Sequence, residues 1–464
     1  MTVTTFNQKA NSITQKAPSP AGRFLVGHMP EFRKDVLALF SRMVQDYPEL
    51  VQLKLAHLDT FLVHDPELIR ELFVKRASDF PKADINLHVT GKALGNGVLS
   101  TKGACHSQQR KLMQPAFHHK RLAGYASIMS AYTQTFLANW QDGEIRNIHS
   151  EMLRLTMFVV AKTLFDADME TMADKGEIAA ETIAGNQYWL RKEFSYGFKV
   201  PFWLPTRGNR EIKANNKRLR DMLQPIIDQR RQGQIEDKGD LLSILLTAVN
   251  DNGQPMNDNL LIDEVVTLFS AGHETTSNAL SWTLYLLSQN PEQAEMLYTE
   301  LDQVLDGRPP TFADLNQLVY TEMVLKESMR ILPPVWTLSF REAHQDTTLG
   351  NYHIPQGSIL TAPIYGIHRS PKYFPDPERF DPERFHPEHG VDLPRYAYLP
   401  FGAGPHVCIG AQFAMIEAKL LLAAICQQFR FTLQPDQDII LDPLITMGPK
   451  NGIKMTLEKR KITS

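Results

Sequence analysis

The chain has 464 residues, of which 43% are hydrophobic and 22% charged, and its formal net charge at neutral pH is -3. These values are typical of a folded globular protein and argue against a nucleic-acid-binding protein, which needs a concentrated basic surface. The three cysteines (Cys105, Cys408, Cys426) have no CxxC spacing. A disulfide framework and a four-cysteine zinc site are therefore disfavoured, and we expect a protein of the reducing cytoplasm.

The N-terminal residues predict a tail in front of one domain. Residues 1–17 are polar and lack an apolar signal core, so we expect them to be disordered. Lys9, Lys16 and Arg23 precede the first acidic residue, Glu31, which leaves an organelle presequence as the alternative. Residues 18–464 are predicted to form a single domain, because no linker or internal repeat interrupts them. No stretch approaches the ~20 apolar residues of a membrane-spanning helix, so we expect no integral membrane anchor.

The elements that follow predict a mainly α fold with a minor β portion. An amphipathic helix precedes two short alternating stretches, VQLKL and TFLVHDP, which predict a small sheet near the N-terminus. Helical periodicity dominates from about residue 102 to 330, and the longest predicted helix runs from about 259 to 289. Proline-rich irregular chain follows Leu332, and a last long helix begins just after Cys408.

The stretch FGAGPHVCIG places Cys408 in a glycine-rich loop at the start of that last helix. Gly402, Gly404 and Gly410 permit positive φ or close approach to a ligand, and free amides at a helix N-terminus favour a thiolate. Phe401 offers a flat apolar wall. These features suit a sulfur ligand to the metal of a large planar cofactor. The alternative is a structural cysteine in a tight turn.

The stretch AGHETT interrupts the longest predicted helix. Gly272 costs about 1 kcal/mol relative to alanine inside a helix, and Thr275 is placed to hydrogen-bond back to the carbonyl of Ala271. With Glu274, these residues form a niche for a diatomic ligand and a path for protons. The alternatives are a packing groove and a zinc-peptidase HExxH motif, but Ser277 stands where the second histidine would be.

Two sets of charged residues complete the pattern. Glu327 and Arg330 stand at i and i+3 in an apolar helix, which predicts a buried pair with Arg384 as a third member; a solvated surface pair is the alternative. The second set would hold two carboxylates of a cofactor, although each member is ordinary by itself: His106, Arg110, Arg341 and His406.

In this order and spacing the motifs resemble the cytochrome P-450 superfamily of haem-thiolate monooxygenases. The matching segments are its F-x-x-G-x-[R/H]-x-C-x-G loop, its A-G-x-[D/E]-T-T helix motif, its E-x-x-R pair and its P-E-R-F segment. The resemblance covers residues 18–456 and implies the P-450 fold. In that fold, haem b lies between a long central helix and the cysteine-loop helix.

The resemblance also implies the roles of the site residues. Cys408 would be the iron ligand, and Phe401, Gly402, Gly410 and Ala271 would border the haem. Glu274 and Thr275 would deliver protons on the opposite face of the haem. Two further groups would anchor the haem propionates (His106, Arg110, Arg341, His406) and lock the fold behind the loop (Glu327, Arg330, Arg384). Histidines at positions 106 and 406 depart from the commoner tryptophan and arginine, although histidine is an accepted variant at both.

The implied reaction inserts one oxygen atom of O2 into a substrate and releases the other as water. Electrons would come from a separate ferredoxin, flavodoxin or flavoprotein reductase, since no reductase sequence follows the cysteine loop. The segment from Arg110 to Arg121 is a candidate basic docking surface for that partner, with a solvated helix end as the alternative.

The pocket residues that the resemblance implies are mostly apolar, which suits a lipophilic substrate, a fatty acid or terpenoid. They are Leu268, Phe269, Val335, Leu338, Ile445 and Met447. A peroxide-using peroxygenase, a haem-thiolate isomerase and a non-catalytic haem-binding sensor remain alternatives. The acid–threonine pair argues against the first two of these.

Overall fold

A computed structural model describes residues 14–168, 175–196, 198–232, 238–249 and 253–461. The described chain is mainly helical, as the sequence predicts. Its α-helices are α1 Met29–Lys34, α2 Val36–Asp46, α3 Pro66–Arg70, α4 Asp84–Leu94, α5 Gly103–Met113, α6 His119–Leu137, α7 Ile148–Phe165, α8 Gly176–Phe194, α9 Arg207–Gln232, α10 Leu241–Thr247, α11 Asp258–Gln289, α12 Pro291–Leu305, α13 Val319–Ile331, α14 Ile364–Ile367 and α15 Ala411–Gln428.

The strands form small sheets around this helical body. They are β1 Leu50–Leu55, β2 Leu58–Val63, β3 Ile145–Asn147, β4 Arg341–Glu342, β5 Thr347–Leu349, β6 Tyr352–Ile354, β7 Ile359–Thr361, β8 Phe429–Leu433, β9 Leu441–Pro443, β10 Met447–Pro449 and β11 Lys454–Lys459. One sheet has the order β1-β2-β7-β4 and another β3-β11-β8, while β5 pairs with β6 and β9 with β10. The N-terminal sheet predicted from the VQLKL and TFLVHDP stretches is confirmed as the β1–β2 hairpin.

Helix α11 is the central element, and its predicted span is confirmed within one residue. The Asn257 side chain caps it by accepting a hydrogen bond from the Leu260 N–H (2.8 Å). The helix ends at Gln289, and Pro291 then occupies the first turn of α12. Most residues of α11 are buried, because it packs against α7, α13 and α15.

The N-terminal boundary lies earlier than the sequence predicts. Residues 1–13 of the expected tail are outside the described residues. Gln15 donates its backbone N–H to the Asn351 carbonyl (2.9 Å) and accepts a hydrogen bond from the His353 N–H (3.0 Å). Ala17 is buried in the cluster around β2 and β6. Residues 15–17 therefore pair with the body of the protein, because backbone hydrogen bonds hold them against β6.

A buried ionic cluster joins α13 to the irregular chain at 375–384, as the sequence predicts. Arg330 donates to both Glu327 carboxylate oxygens (2.7 and 2.8 Å), and Arg384 donates to one of them (3.3 Å). Arg330 also donates to the backbone carbonyls of His368, Pro377 and Arg379. Its side chain is fully buried, so these bonds replace the water that it loses. The cluster fixes the segment that leads towards the cysteine loop.

Replacing Arg330 by alanine should lower the free energy of unfolding by about 3–5 kcal/mol, because the Glu327 carboxylate would remain buried without its main partner. Urea unfolding followed by circular dichroism measures this loss. Lys217→Ala is the matched control, since it breaks an exposed i,i+4 pair with Asp221 and should cost less than about 1 kcal/mol. Equal losses in the two variants would contradict a special role for the buried cluster.

Candidate active site

The cysteine loop is held in a tightly fixed conformation. The Cys408 N–H donates to the Phe401 carbonyl (2.9 Å), which closes the loop. Gly402 and Gly404 both have positive φ, at 75° and 69°. A Cβ on Gly404 would lie 1.8 Å from the Phe73 carbonyl oxygen, so only glycine fits there. Gly410 is the N-cap residue of α15.

The Cys408 sulfur lies in an enclosed yet accessible place. The residue is exposed, but burial by the surrounding protein raises the pKa of its thiol. Exposure of the residue and burial of the thiol are compatible if the side chain lies in a cleft that protein surrounds. The Gly410 backbone N–H and the Arg110 guanidinium act in the opposite direction on the pKa, without overcoming burial. A cation bound at the sulfur would stabilise the thiolate, as in other coordinating thiols.

Helix α11 has an accessible position in its middle. Ala271 is exposed although all ten residues before it are buried. The Thr275 hydroxyl donates to the Ala271 carbonyl (2.8 Å), as the sequence predicts. Ala271 and Thr275 are one helical turn apart and share a face, and α11 packs against α15 behind the cysteine loop.

The Glu274 carboxylate is held by two groups that the sequence analysis missed. One of its oxygens accepts hydrogen bonds from the Gln187 amide, on α8, and from the Thr446 hydroxyl (2.7 Å). Burial raises the pKa of Glu274, while these two donors lower it. A buried acid with a raised pKa retains its proton closer to neutral pH than a solvated one. No spacing in the sequence links positions 187 and 446 to the helix motif.

The four predicted cations come together beside the cysteine loop. His106 and Arg110 share one face of α5, and Arg110 donates to the Val407 carbonyl (2.7 Å). The His106 Nε2 and His406 Nδ1 atoms are 3.1 Å apart. Arg341 is buried, and its Nε and Nη1 atoms have no hydrogen-bond partner among the described residues.

Lys82 is a fifth cation that the sequence analysis missed. It forms an isolated β-bridge with Arg341, and its ammonium donates to the carbonyls of Leu99 (2.9 Å) and Val98 (3.3 Å). Burial first, and then Arg341, lower the pKa of Lys82 to about 7. A single lysine after Pro81 in irregular chain carries no signal of this placement, which only the fold creates.

This cluster fits a cofactor that carries carboxylates. Burial and the neighbouring cations lower the pKa of His106 to about 4 and also lower that of His406, so positive charge is crowded there. Carboxylates would relieve this repulsion and would accept hydrogen bonds from the unpartnered nitrogens of Arg341. These residues therefore fit a planar cofactor whose metal would be ligated by the Cys408 sulfur and whose carboxylates would bind these side chains.

The structure gives the positions of four of the six predicted pocket residues relative to the cysteine loop and α11, and their role in a pocket stays a prediction. Leu268 lies one turn before Ala271 on the same face of α11. Leu338 lies beside the cysteine loop, 3.5 Å from where a Cβ on Gly402 would stand. Val335 is half-buried, and the Ile445 N–H donates to the Gln187 side chain that holds Glu274 (3.2 Å).

The predictions for Phe269 and Met447 are wrong. Phe269 is fully buried, and its ring contacts Phe165 on α7 and His273 on α11. Helical geometry turns it away from the face of Ala271, because adjacent residues are 100° apart. The Met447 side chain is also fully buried in the main core, and its backbone carbonyl accepts a hydrogen bond from the Trp282 indole (3.0 Å).

Comparison with known proteins agrees with this geometry. A family model described as Cytochrome P450 matches residues 17–455. Cyclooctat-9-en-7-ol 5-monooxygenase of Streptomyces melanosporofaciens is 34% identical over 420 residues, which covers 90% of each chain. Pentalenene oxygenase of Streptomyces avermitilis is 30% identical over 443 residues, covering 95% of this chain and 97% of the relative.

Solved structures show the same fold. Cyanobacterial CYP120A1 with bound retinoic acid superposes with a TM-score of 0.83 at 28% identity, covering 96% of this chain and 100% of that chain. The heme domain of cytochrome P450DA gives a TM-score of 0.85 at 26% identity and covers 97% and 99%. The fold and site define a haem-dependent oxygenase. The chain belongs to the cytochrome P450 family and is a monooxygenase of that family.

Replacing Gly404 by alanine should lower the free energy of unfolding for two reasons. Alanine is strained at a positive φ, and the new methyl group would also overlap the Phe73 carbonyl. We expect the overlap to add about 2 kcal/mol to the loss caused by the strain alone. Gly357→Ala is the matched control: its φ is +78° and a Cβ there meets no atom within 4 Å. Chemical unfolding of both variants measures the difference. If the two variants lost equal stability, the close contact with Phe73 would not be what fixes the loop.

Proposed function

We propose that this P450 uses haem b, bound through Cys408, to oxygenate a lipophilic substrate of the terpenoid class. The observation that carries the proposal is the exposed Cys408 beside a cluster of three cations and two histidines, with Ala271 and Thr275 on one face of α11. No other feature of the described residues combines a metal-ligating atom with donors for two carboxylates.

The residues divide the binding of haem b between them. Cys408 would ligate the iron, and Arg341 would donate its unpartnered Nε and Nη1 to a propionate. Lys82 and Arg110 would add positive charge, and the two histidines would act as hydrogen-bond donors. Phe401, Gly402 and Gly410 belong to the cysteine loop and would border the haem there, and Ala271 would border it from α11.

Bound haem supplies the activation of O2 and its transfer to the substrate. The chain supplies protons to that reaction through Glu274 and Thr275. Glu274 is a buried acid, and burial raises its pKa, which favours the protonated form that a proton donor needs. Thr275 shares the face of Ala271, and its hydroxyl is a donor and acceptor that relays the proton towards the cleft. Gln187 and Thr446 keep the Glu274 carboxylate in position.

This acid–threonine pair favours O2 over peroxide as the oxidant. Cleavage of bound O2 consumes protons that the protein must deliver, whereas hydrogen peroxide brings its own protons to the site. Electrons would then come from a separate ferredoxin, flavodoxin or flavoprotein reductase. The exposed basic residues at the end of α5 and the start of α6 are the docking surface that we assign to it: Lys111, His118, His119 and Lys120. An acidic partner would approach the cysteine loop here, since Phe117 lies 3.7 Å from where a Cβ on Gly410 would stand.

The terpenoid class is supported by the relatives and by the apolar lining. Two relatives are named as oxygenases of cyclooctat-9-en-7-ol and pentalenene. Leu268, Val335, Leu338 and Ile445 provide apolar walls with few polar anchors, which suits such a substrate. Fatty acids share this apolar character and form the second substrate class to test. Titrating both classes and reading the spin-state change of the haem iron compares them directly; a response to neither would contradict the proposed substrate.

Replacing Cys408 by alanine should abolish the red-shifted absorption band of the ferrous–CO complex, because the sulfur ligand is lost. Absorption spectra of the reduced, CO-treated proteins measure this. Cys105→Ala is the matched control, since Cys105 is also exposed but lies on α5, and this variant should keep the band. An unchanged band in Cys408→Ala would refute the ligand assignment.

Replacing Thr275 by alanine should leave haem binding intact but uncouple NADH oxidation from product formation, about tenfold or more, because the proton relay loses its hydroxyl. The measurement is product formed per NADH consumed, with a surrogate ferredoxin system. Thr275→Ser retains a hydroxyl and should stay coupled. Intact coupling in the alanine variant would show that Thr275 delivers no protons.

A further inference from the structure

Residues 383–391 form a closed loop with a fixed backbone. The Gly390 N–H donates to the His386 carbonyl (3.0 Å), and the Val391 N–H donates to the Arg384 carbonyl (2.9 Å). A Cβ on Gly390 would lie 2.6 Å from both of these carbonyl oxygens, so only glycine permits this closure. The shape of the loop is therefore set by its own backbone and does not wait for a ligand.

The buried ionic cluster holds the start of this loop against the body of the protein. Arg384 is buried and donates to the Glu327 carboxylate (3.3 Å) and to the Asp376 carbonyl (2.7 Å). The Asp381 side chain accepts a hydrogen bond from the Glu383 N–H (3.2 Å), and the Asp381 N–H donates to Glu327 (2.9 Å). Glu383 thus stands on a backbone that the core anchors on both sides.

Three side chains of metal-ligating types converge on this loop. Glu383, His386 and His389 each offer one ligand atom, and these three atoms all lie within 4.8 Å of one another. The rings of His386 and His389 are stacked, with their centroids 3.4 Å apart. Among the residues that the structure describes, no other group of three histidines, cysteines or acids converges in this way.

The spacing of two of these side chains fits a zinc site. The His389 Nε2 and Glu383 Oε2 atoms are 3.4 Å apart. Zinc binds nitrogen and oxygen ligands at about 2.0–2.2 Å in a tetrahedron, so two of its ligand atoms stand about 3.3–3.5 Å apart. The two atoms already have that separation. Both side chains are also partly exposed, which leaves them free to adjust around an ion.

His386 offers an unprotonated ring nitrogen, which is the form that a metal binds. The Glu388 backbone N–H donates to His386 Nδ1 (3.2 Å). A backbone amide can only donate, so this nitrogen carries a lone pair. Zinc would take this lone pair in place of the amide. Because Glu388 is exposed, its N–H would then bond to water.

The charge and the chemistry of the loop favour a transition-metal cation. Residues 381–392 carry four acids and one positively charged residue, Arg384, whose guanidinium is spent on the buried Glu327 carboxylate. The outer surface of the loop is therefore negative. Two imidazoles and one carboxylate suit zinc, whereas magnesium and calcium prefer sets of oxygen ligands.

We propose that Glu383, His386 and His389 bind one zinc ion at the surface of the protein. Three protein ligands leave the fourth tetrahedral position to water. The ion would tie the two ends of the loop together beside Arg384. It would therefore stabilise the folded state in which the ionic cluster is formed, since it binds only that state. This inference depends neither on the haem nor on the substrate proposed above.

Zinc titration in competition with a chromophoric chelator tests the proposal on the full-length holoprotein, after EDTA has removed loosely bound metal. We expect one zinc ion to bind per chain, and we expect excess magnesium not to displace it, because imidazole ligands disfavour magnesium. No binding at about 100 μM zinc would overturn the proposal. Displacement of the bound zinc by magnesium would also overturn it, since the site would then be an ordinary group of acids.

His386→Gln and His389→Gln should each weaken zinc binding at least about tenfold, since even the loss of a residue that only orients a metal ligand costs about 10–100-fold. Neither histidine lies in the buried core, so both variants should fold, and the ferrous–CO band of each verifies this. His353→Gln, which replaces an exposed histidine in β6, is the matched control and should bind zinc normally. Equal zinc binding by the double histidine variant and the parent would overturn the proposal.

X-ray absorption at the zinc edge identifies the ligands of the bound ion. We expect only nitrogen and oxygen neighbours, with the signal of two imidazole rings in the parent and of one ring in His389→Gln. A sulfur neighbour would overturn the proposal, because it would place the zinc at a thiol such as the exposed Cys105. An unchanged imidazole signal in His389→Gln would overturn it as well.

Discussion

The rest of the structure depends on how the Cys408 sulfur is held. Burial opposes its ionisation, while the Gly410 N–H and the Arg110 guanidinium favour it. Such a thiol is a poor free anion but a good ligand, because a metal cation would shift the balance towards the thiolate. Contacts with the rest of the fold hold the cysteine loop in place. Gly404 lets the loop contact the Phe73 backbone, and the ionic cluster of Glu327 fixes the chain that precedes the loop.

Helix α11 serves two different purposes on two faces. One face carries Phe269 and packs in the core against α7, while the other carries the exposed Ala271 and the half-buried Thr275. Glu274 projects from the same turn towards α8 and the chain around Thr446. Its position explains how an acid remains in the middle of a core helix: two donors satisfy it there, and burial raises its pKa.

The sequence predicted those parts of the fold and site that have a local signal. The span of α11 followed from its periodicity, and the Thr275–Ala271 bond followed from helix spacing. Lys82 had no such signal, because its contact with Arg341 forms only when distant chain segments pair. Phe269 was misplaced because family resemblance assigns a segment to a pocket, whereas helix rotation decides which residue of the segment faces it.

The central claim is that the Cys408 sulfur binds the iron of a haem, and the most direct measurement is X-ray absorption at the iron edge of the purified holoprotein. The account predicts one haem per chain, with one sulfur atom among the nearest neighbours of the iron and with that neighbour lost in a Cys408→Ala variant. An iron surrounded only by nitrogen and oxygen, or a protein that contains no iron when haem precursor is abundant, would contradict it.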